Sequence, residues 1–398
     1  MRLGVTPFAL AGLLVGAREA GCQQLSFLDR GPKEIEAWAR EDTNDFHRLY
    51  YLALSHWKWQ HWKQVDSLLR FVARMEPRYP EPYLALAYLP FARRSRLADE
   101  ERLNHIPDDW IPVVKEANDF YDRAFRTDPM VSLEIFEVMY DVKDPHELDM
   151  SMSEYQGYLR FYAWAVDLGL GRYRSARERL ANLGRSEYQE AKHPDRVPTF
   201  LLLYRGLAAA HGAQYDSAIV DFRTLLARSL KPEQKGEIVH VPLRDNEYRF
   251  MLAALHHLAG HTDSAVALYQ ESLEHDLGLV MAHTYLASIY ERTGRPADAL
   301  VERRRAVDVD RDDPAALFDL GISLINSGHV MEGVDPLYRA IGLNPRFSPP
   351  YYLLGRAAEM LGQNEEARNK YLQFLERAPL RLSDMRADAQ QRLERLPQ

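Results

Sequence analysis

Histidine pairs are the first residues of this sequence whose type and spacing could support chemistry. His257 and His261 are four residues apart, a spacing at which two side chains on one helix can share a metal ion. Gly260 between them predicts the end of a helix, however, and no acidic residue nearby completes a ligand set. We therefore assign His261 to the helix C-terminus, where the macrodipole favours a cation, and predict no metal site.

A second histidine pair lies in a segment rich in tryptophan. His56 and His61 stand among Trp57, Trp59 and Trp62. Large rings at this density are typical of a packed core, in which a histidine ring packs against the other rings. We interpret the segment as an aromatic packing cluster, with metal ligation by the two histidines as the alternative.

The acidic pairs of the chain also have a structural explanation. Asp108-Asp109 and Asp312-Asp313 stand beside prolines, where a carboxylate favours a helix N-terminus and can cap it. The sequence has no Gly-rich phosphate loop, no Gly-x-Ser-x-Gly elbow and no His-Glu-x-x-His helix. We therefore predict no catalytic residue, no metal and no cofactor, and we predict that the protein is not an enzyme.

Cys22 is the single cysteine, so an intrachain disulfide is excluded. Met1-Arg2 gives a basic start, residues 3–17 are free of charge and largely apolar, and Ala20-Gly21 precedes the cysteine. This order resembles a bacterial lipoprotein signal, in which the cysteine is lipidated, although Glu19 stands where such signals carry an aliphatic residue. Two alternatives stay open: cleavage after Ala17 to give a secreted or periplasmic protein, and an apolar helix of a cytoplasmic protein.

Composition indicates a folded chain with no affinity for nucleic acid. Of 398 residues, 46% are hydrophobic and 27% are charged, which is typical of a globular rather than a disordered protein. The formal net charge of −8 disfavours binding to a phosphate backbone. We predict a protein or peptide partner and no nucleic acid.

A period of 34 residues runs through the C-terminal half of the chain. It begins at Leu-Ala or Leu-Gly pairs: Leu252-Ala253, Leu286-Ala287, Leu320-Gly321 and Leu354-Gly355. A glycine follows each pair, at Gly260, Gly294, Gly328 and Gly362. Small residues come next, at Ala265, Ala299, Gly333 and Ala367. Bulky residues complete the unit at Tyr269, Leu337 and Tyr371, with Arg303 as the exception.

The residue types of this period suit a helical hairpin. Glycine ends a helix in the left-handed conformation, small residues let two helix backbones approach, and bulky residues fill the seam between them. One hairpin cannot bury its apolar face alone, so neighbouring hairpins stack. In this pattern the chain resembles the tetratricopeptide-repeat (TPR) family. The resemblance implies an all-α fold, a right-handed superhelical solenoid of stacked antiparallel helix pairs.

The resemblance is strongest over four regular units and weaker before them. We divide the chain into a signal or lipidation segment (1–22), an N-terminal linker and first helix (23–44), degenerate TPR-like repeats with insertions (45–245), four regular TPR units (246–381) and a C-terminal capping helix (382–398). The capping helix is predicted to have Ser383 as its N-cap.

The resemblance also implies where a partner binds, because first helices line the concave face of TPR proteins. First-helix positions that point into this groove hold Phe250, His257, Arg292, Phe318, Asn326, Tyr352 and Arg356. Rings supply contact area, and Arg and Asn side chains anchor carboxylate or backbone groups. For the aromatic members, packing against a neighbouring helix is the alternative.

The sequence thus predicts a non-catalytic scaffold or adaptor that binds a protein or peptide in its concave groove at the bacterial cell envelope. One alternative is a substrate-handling or catalytic component of an envelope enzyme. Its only candidate residues stand in two predicted insertions, at His105, Asp108, Asp109 and His240. The other alternative is a self-associating solenoid, whose groove takes the N-terminal segment of another copy.

Overall fold

The structure is a computed structural model, and it describes residues 32–94, 111–131, 171–230 and 245–397, with Trp164, Asp167 and Leu168 in addition. Several predictions lie outside the described residues. They concern the signal segment with Cys22 and the insertion residues His105, Asp108, Asp109 and His240.

Seventeen α-helices and no strand occur within these described ranges. The first eight are α1 (Pro32–Arg40), α2 (Phe46–Lys58), α3 (Trp62–Met75), α4 (Glu81–Arg94), α5 (Ile111–Thr127), α6 (Tyr173–Ser186), α7 (Thr199–His211) and α8 (Tyr215–Ser229). The next eight are α9 (Asp245–Leu258), α10 (Thr262–His275), α11 (Val280–Arg292), α12 (Pro296–Val309), α13 (Pro314–Asn326), α14 (Val330–Leu343), α15 (Pro349–Met360) and α16 (Asn364–Arg377). The last is α17 (Ser383–Arg395). None of these helices is both long and apolar enough to cross a membrane.

The helices pack as successive hairpins. In the C-terminal half the pairs are α9–α10, α11–α12, α13–α14 and α15–α16, and the earlier chain adds α2–α3 and α7–α8. A turn of a few residues joins the two helices of each pair, which makes them antiparallel. The predicted all-α, helical-repeat fold of TPR type is therefore confirmed.

Small residues at the hairpin seams have the predicted steric role. A Cβ atom added to Gly355 would lie 2.6 Å from Cε1 of Tyr371, and one added to Gly321 would lie 2.8 Å from Cδ2 of Leu337. Real Cβ atoms do not approach other atoms so closely, so a larger residue would push the two helices apart.

The hairpin turns share one backbone geometry. In six of them a residue just after the first helix lies in the left-handed region: Gln60, Ala213, Gly260, Gly294, Gly328 and Gly362. Gly171, just before α6, adopts the same conformation. The next residue donates its N–H to a carbonyl five residues earlier, at 2.9 Å from His329 to Leu324 and 2.9 Å from Gln363 to Ala358. This is the Schellman motif, which satisfies carbonyl groups that the helix end leaves free.

One predicted cap is wrong by one residue. Helix α17 begins at Ser383, so that Leu382 is its N-cap, and no side chain caps the helix. The Ser383 hydroxyl instead donates to Asp384 Oδ1 at 3.3 Å. At α13, by contrast, Asp313 is the N-cap and accepts a hydrogen bond from the Ala315 N–H at 2.8 Å.

The chain divides into two compact units. One contains α1–α4 and α11–α17, and the other contains α5–α10. The first unit therefore joins two segments that are far apart in the sequence. The segment boundaries inferred from the sequence stay predictions.

Candidate functional site

The three aromatic residues predicted to line a groove are buried. Phe250 is 1% exposed, Phe318 3% and Tyr352 2%. The Phe318 ring centroid lies 5.2 Å from that of Phe347, and the Tyr352 ring lies 5.4 Å from Phe374. Rings at these distances pack edge-on or tilted within a core, which is the alternative that the sequence left open for them.

The polar members of the predicted set are more accessible. Arg292 and Asn326 are exposed, and His257 and Arg356 are half-buried. The side chains of Arg292 and Asn326 form no hydrogen bond or ion pair with another described residue. Arg356 reaches the Tyr352 hydroxyl at 3.4 Å. The side chains available to a partner are therefore polar rather than aromatic.

Accessible side chains, including Arg292, Asn326 and Arg356, form two rows on the first helices of three consecutive hairpins in one unit. One row is half-buried and holds Ser288, Ile322 and Arg356, and the other is exposed and holds Arg292, Asn326 and Met360. Members of the two rows are four residues apart on the same helix, so they share its face. We call these six residues the first-helix strip.

The hairpin seams contain a second recurring pair, which the sequence analysis missed. Arg303, the exception among the bulky residues, places Nη2 3.2 Å from Oε2 of Glu291, twelve residues earlier. Tyr371 donates its hydroxyl to Glu359 Oε2 at 3.0 Å over the same interval. The equivalent positions of the other two repeats hold Ile325 with Leu337, and His257 with Tyr269. The signal in the sequence was Arg303 at a position that is otherwise bulky and uncharged, because a buried charge needs a polar partner, here twelve residues earlier.

A buried charge network surrounds Arg303. Its Nη1 lies 3.0 Å from Oδ2 of Asp319, and Arg78 Nη1 lies 2.6 Å from the same oxygen. Burial disfavours the charged carboxylate, but the guanidinium groups of Arg78 and Arg303 outweigh it and lower the pKa of Asp319. Ser323 donates its hydroxyl to Glu291. These groups partner one another, so we interpret the network as structural.

Other buried ionisable groups are paired in the same way. His283 Nδ1 lies 2.6 Å from Glu302 Oε2. Arg205 bonds Glu190 at 2.8 Å and Asp221 at 2.6 Å. A buried charge without a partner is costly, so pairs of this kind are expected in a stable core and do not by themselves indicate catalysis.

A recess lies beside α6 and α7. It has a volume of about 420 Å³ and is lined by Gly171, Arg172, Tyr173, Arg174, Ser175, Ala208, Gly212 and Gln214. No carboxylate, histidine or cysteine is among these residues. Across the described ranges, no three His, Cys, Asp or Glu side chains come together in a group that could hold a metal ion.

The histidines pair differently from the spacing considered in the sequence. His261 approaches His256, with 3.2 Å between their Nδ1 atoms, while His257 packs edge-on against Tyr269. His56 and His61 form an equivalent pair with 3.0 Å between their Nδ1 atoms. Neighbouring Trp57 and Trp62 pack at 5.9 Å between ring centroids, as an aromatic cluster requires.

The N-terminal segment, from the α1–α2 turn to the end of α3, contacts the turns between the last repeats of the same unit. Asn344 Nδ2 donates to the Met75 carbonyl at 2.9 Å, and the Leu380 N–H donates to Asp42 Oδ2 at 2.6 Å. The Arg381 guanidinium lies 4.4 Å from the Phe46 ring centroid. The chain thus binds its own first hairpin along these turns.

Solved structures show only distant likeness to this protein. A crystal structure of MamA aligns with 43% of this chain and 93% of its own, at 19% identity and a TM-score of 0.37. The C-terminal part of a TPR repeat-containing protein from Cytophaga hutchinsonii aligns with 54% of this chain and 78% of its own, at 16% identity and a TM-score of 0.43. No protein-family model and no curated protein matches the chain. Similarity this low is no basis for assigning a function, and the fold assignment rests on the helices described above.

Proposed function

We propose that the protein is a non-catalytic scaffold that binds an extended segment of a partner protein along the first-helix strip. The observation that carries the proposal is the repetition of accessible side chains at one position of three consecutive first helices. The side chains of two of them, Arg292 and Asn326, bond no other described residue. Their backbone is held in a helix, so the positions of these two side chains relative to each other are set before a partner binds.

The strip has the chemistry to hold a peptide with a carboxylate. Arg292 and Arg356 can each grip a carboxylate through two parallel N–H donors, and the Asn326 amide can bond a peptide backbone. Ile322 and Met360 supply apolar contact between these anchors.

The test is crosslinked capture of partners by the wild-type protein and two triple variants. The first variant combines Arg292→Ala, Asn326→Ala and Arg356→Ala. The matched control combines Arg304→Ala, Arg339→Ala and Asn369→Ala, which are exposed residues of the same types on the second helices of the same three hairpins. Helicity of all three proteins is checked by circular dichroism.

We expect one partner to be captured by the wild type and the control and to be lost from the first variant. Each charge-assisted contact is worth about 1.5–3 kcal/mol, so losing two weakens binding by at least about a hundredfold. Equal capture by all three proteins would move the site away from the strip. Loss from the control alone would assign binding to the second helices.

We also propose that the protein is a lipoprotein of the bacterial cell envelope, anchored through Cys22 and facing the periplasm or the exterior. The proposal is supported by the basic start, the apolar run over residues 3–17 and the Ala20-Gly21-Cys22 sequence. Cys22→Ser is expected to move the protein from the membrane to the soluble fraction and to abolish metabolic labelling with a fatty acid. Unchanged fractionation of Cys22→Ser would contradict the lipid anchor.

A further inference from the structure

Two hairpin turns of this protein carry a histidine pair in the same geometry. In the α2–α3 turn, His56 and His61 place their Nδ1 atoms 3.0 Å apart, and in the α9–α10 turn, His256 and His261 place theirs 3.2 Å apart. The ring planes are inclined by 50° and 52°. In both turns the N–H of the second histidine donates to the carbonyl of the first at 2.9 Å.

The backbone, and not the histidines, sets this geometry. The Schellman motif brings the side chains at these two positions together, and a hydrophobic contact usually joins them. Elsewhere in the chain the same positions hold Tyr290 with Arg295, whose guanidinium lies 4.3 Å from the tyrosine ring centroid. The two imidazoles are therefore held together before any ligand arrives.

The spacing of the imidazole nitrogens fits two ligands of one metal ion. A nitrogen lies about 2.0–2.1 Å from a bound Zn²⁺, so two of them are roughly 2.9 Å apart at a right angle and roughly 3.3 Å apart at a tetrahedral angle. Both observed distances fall between these limits. A hydrogen bond between the two Nδ1 atoms fits the same spacing. Which of the two holds depends on Nε2: if Nε2 carries the ring proton, Nδ1 has a free lone pair for a metal, and if Nε2 accepts a hydrogen bond, Nδ1 carries the proton.

In the α9–α10 turn, a neighbouring cation favours the hydrogen bond. Arg223 Nη2 lies 3.3 Å from Nε2 of His256. A guanidinium has only donors, so this Nε2 accepts and the ring proton of neutral His256 sits on Nδ1. Nδ1 then donates to His261 and has no lone pair for a metal. Burial and the Arg223 charge both lower the pKa of His256, which keeps it neutral.

In the α2–α3 turn the opposite tautomer is available. No described residue forms a hydrogen bond with Nε2 of His56, so the ring proton can sit there and leave the Nδ1 lone pair free. His61 is exposed and open to solvent.

We propose that His56 and His61 form a two-nitrogen site for Cu²⁺ or Zn²⁺, with water in the remaining positions, and that the pair in the α9–α10 turn does not bind metal. Among divalent ions of the first transition row, Cu²⁺ binds such nitrogen ligands most tightly. The ion crosslinks the end of α2 to the start of α3.

The test is titration of the untagged full-length protein with CuCl₂, followed by calorimetry and by quenching of tryptophan fluorescence. Trp59 lies between the two histidines and is 56% exposed, so a bound Cu²⁺ is close to a fluorophore. His61→Gln removes one ligand, and glutamine already occupies the equivalent position at Gln363. His261→Gln is the matched control in the other turn.

We expect the wild type and His261→Gln to bind Cu²⁺ with equal affinity at this site. His61→Gln should bind it at least about tenfold more weakly, since even an outer-shell partner of a metal ligand is worth that much. Electron paramagnetic resonance of the Cu²⁺ complex should lose the signature of one nitrogen donor in His61→Gln. Identical titrations of wild type and His61→Gln would overturn the proposal, and so would a loss of binding caused by His261→Gln.

Discussion

At the scale of single residues, Arg303 replaces an apolar side chain at a hairpin seam and must be stabilised by its neighbours. Its side chain is 9% exposed and meets Glu291 and Asp319. Removing one member of a buried ion pair typically costs about 3–5 kcal/mol, because the other charge stays buried without compensation. We expect Arg303→Leu, which copies Leu337 of the next repeat, to lower the free energy of unfolding in urea by about 3 kcal/mol.

The control for this substitution is a double variant that copies the neighbouring repeat. Glu291→Ile combined with Arg303→Leu recreates the Ile325–Leu337 pair, and Arg78 still pairs with Asp319. An apolar pair of similar volume is often as stable as the ion pair it replaces, so the double variant should recover more than half of the loss. A neutral effect of Arg303→Leu alone would contradict the structural role of the charge pair.

Residue types on first helices predicted the surface only in part. A first helix contacts its own partner helix and also the next hairpin, so a ring can satisfy either interface or a ligand. The interior buries the rings of Phe250, Phe318 and Tyr352. The surface exposes Arg292 and Asn326. The cost of burying an unpaired charge explains why the polar members were the better guide to accessibility. Whether any of these residues binds a partner stays a prediction.

At the scale of elements, the hairpin turns require one residue in the left-handed conformation. Ala213 adopts it with φ 56°, and Gly328 adopts it with φ 88°. A Cβ in this conformation costs about 1–2 kcal/mol, while glycine costs roughly 0.5–1 kcal/mol in lost chain entropy. Ala213→Gly should therefore raise the free energy of unfolding by up to about 1 kcal/mol.

The reverse substitution at an equivalent turn should have the reverse effect. An added Cβ at Gly328 meets no atom within 4 Å, so Gly328→Ala carries only the conformational cost. We expect it to lower the free energy of unfolding by about 1 kcal/mol in the same urea experiment. Changes of the same sign in both variants would show that backbone conformation does not control these turns.

The four regular turns could be predicted because each contains glycine, the residue that best tolerates a positive φ. Gln60 adopts the same conformation without that signal, because the Schellman hydrogen bonds hold the backbone in place. The prediction of Ser383 as an N-cap was wrong because residue type alone does not set where a helix begins. Its hydroxyl has another acceptor within reach at Asp384, and a helix can begin one residue earlier than a polar side chain suggests.

At the scale of the whole molecule, chain order and packing diverge. In a simple solenoid each repeat contacts only its neighbours, which is the arrangement that the 34-residue period predicts. Here the unit that contains α11–α17 also contains α1–α4, although residues 94–277 separate the two segments. A repeat pattern reports only local contacts, so this long-range packing could not be predicted from it.

The long-range contact should make the first hairpin and the last repeats unfold together. Asn344 is 8% exposed, and its amide donates to the carbonyls of Arg74 and Met75 at the end of α3. Asn344→Ala leaves these groups without that partner, which costs about 1–3 kcal/mol. Asp310→Ala is the matched control, because Asp310 holds the same position one repeat earlier and bonds only the Asp312 N–H of its own turn. Hydrogen exchange should show lower protection in Asn344→Ala, both at the end of α3 and in the turn after α14, and no such paired loss in Asp310→Ala. Lower protection in the turn alone would mean that α2–α3 is held by its other contacts, and that this amide does not couple the two segments.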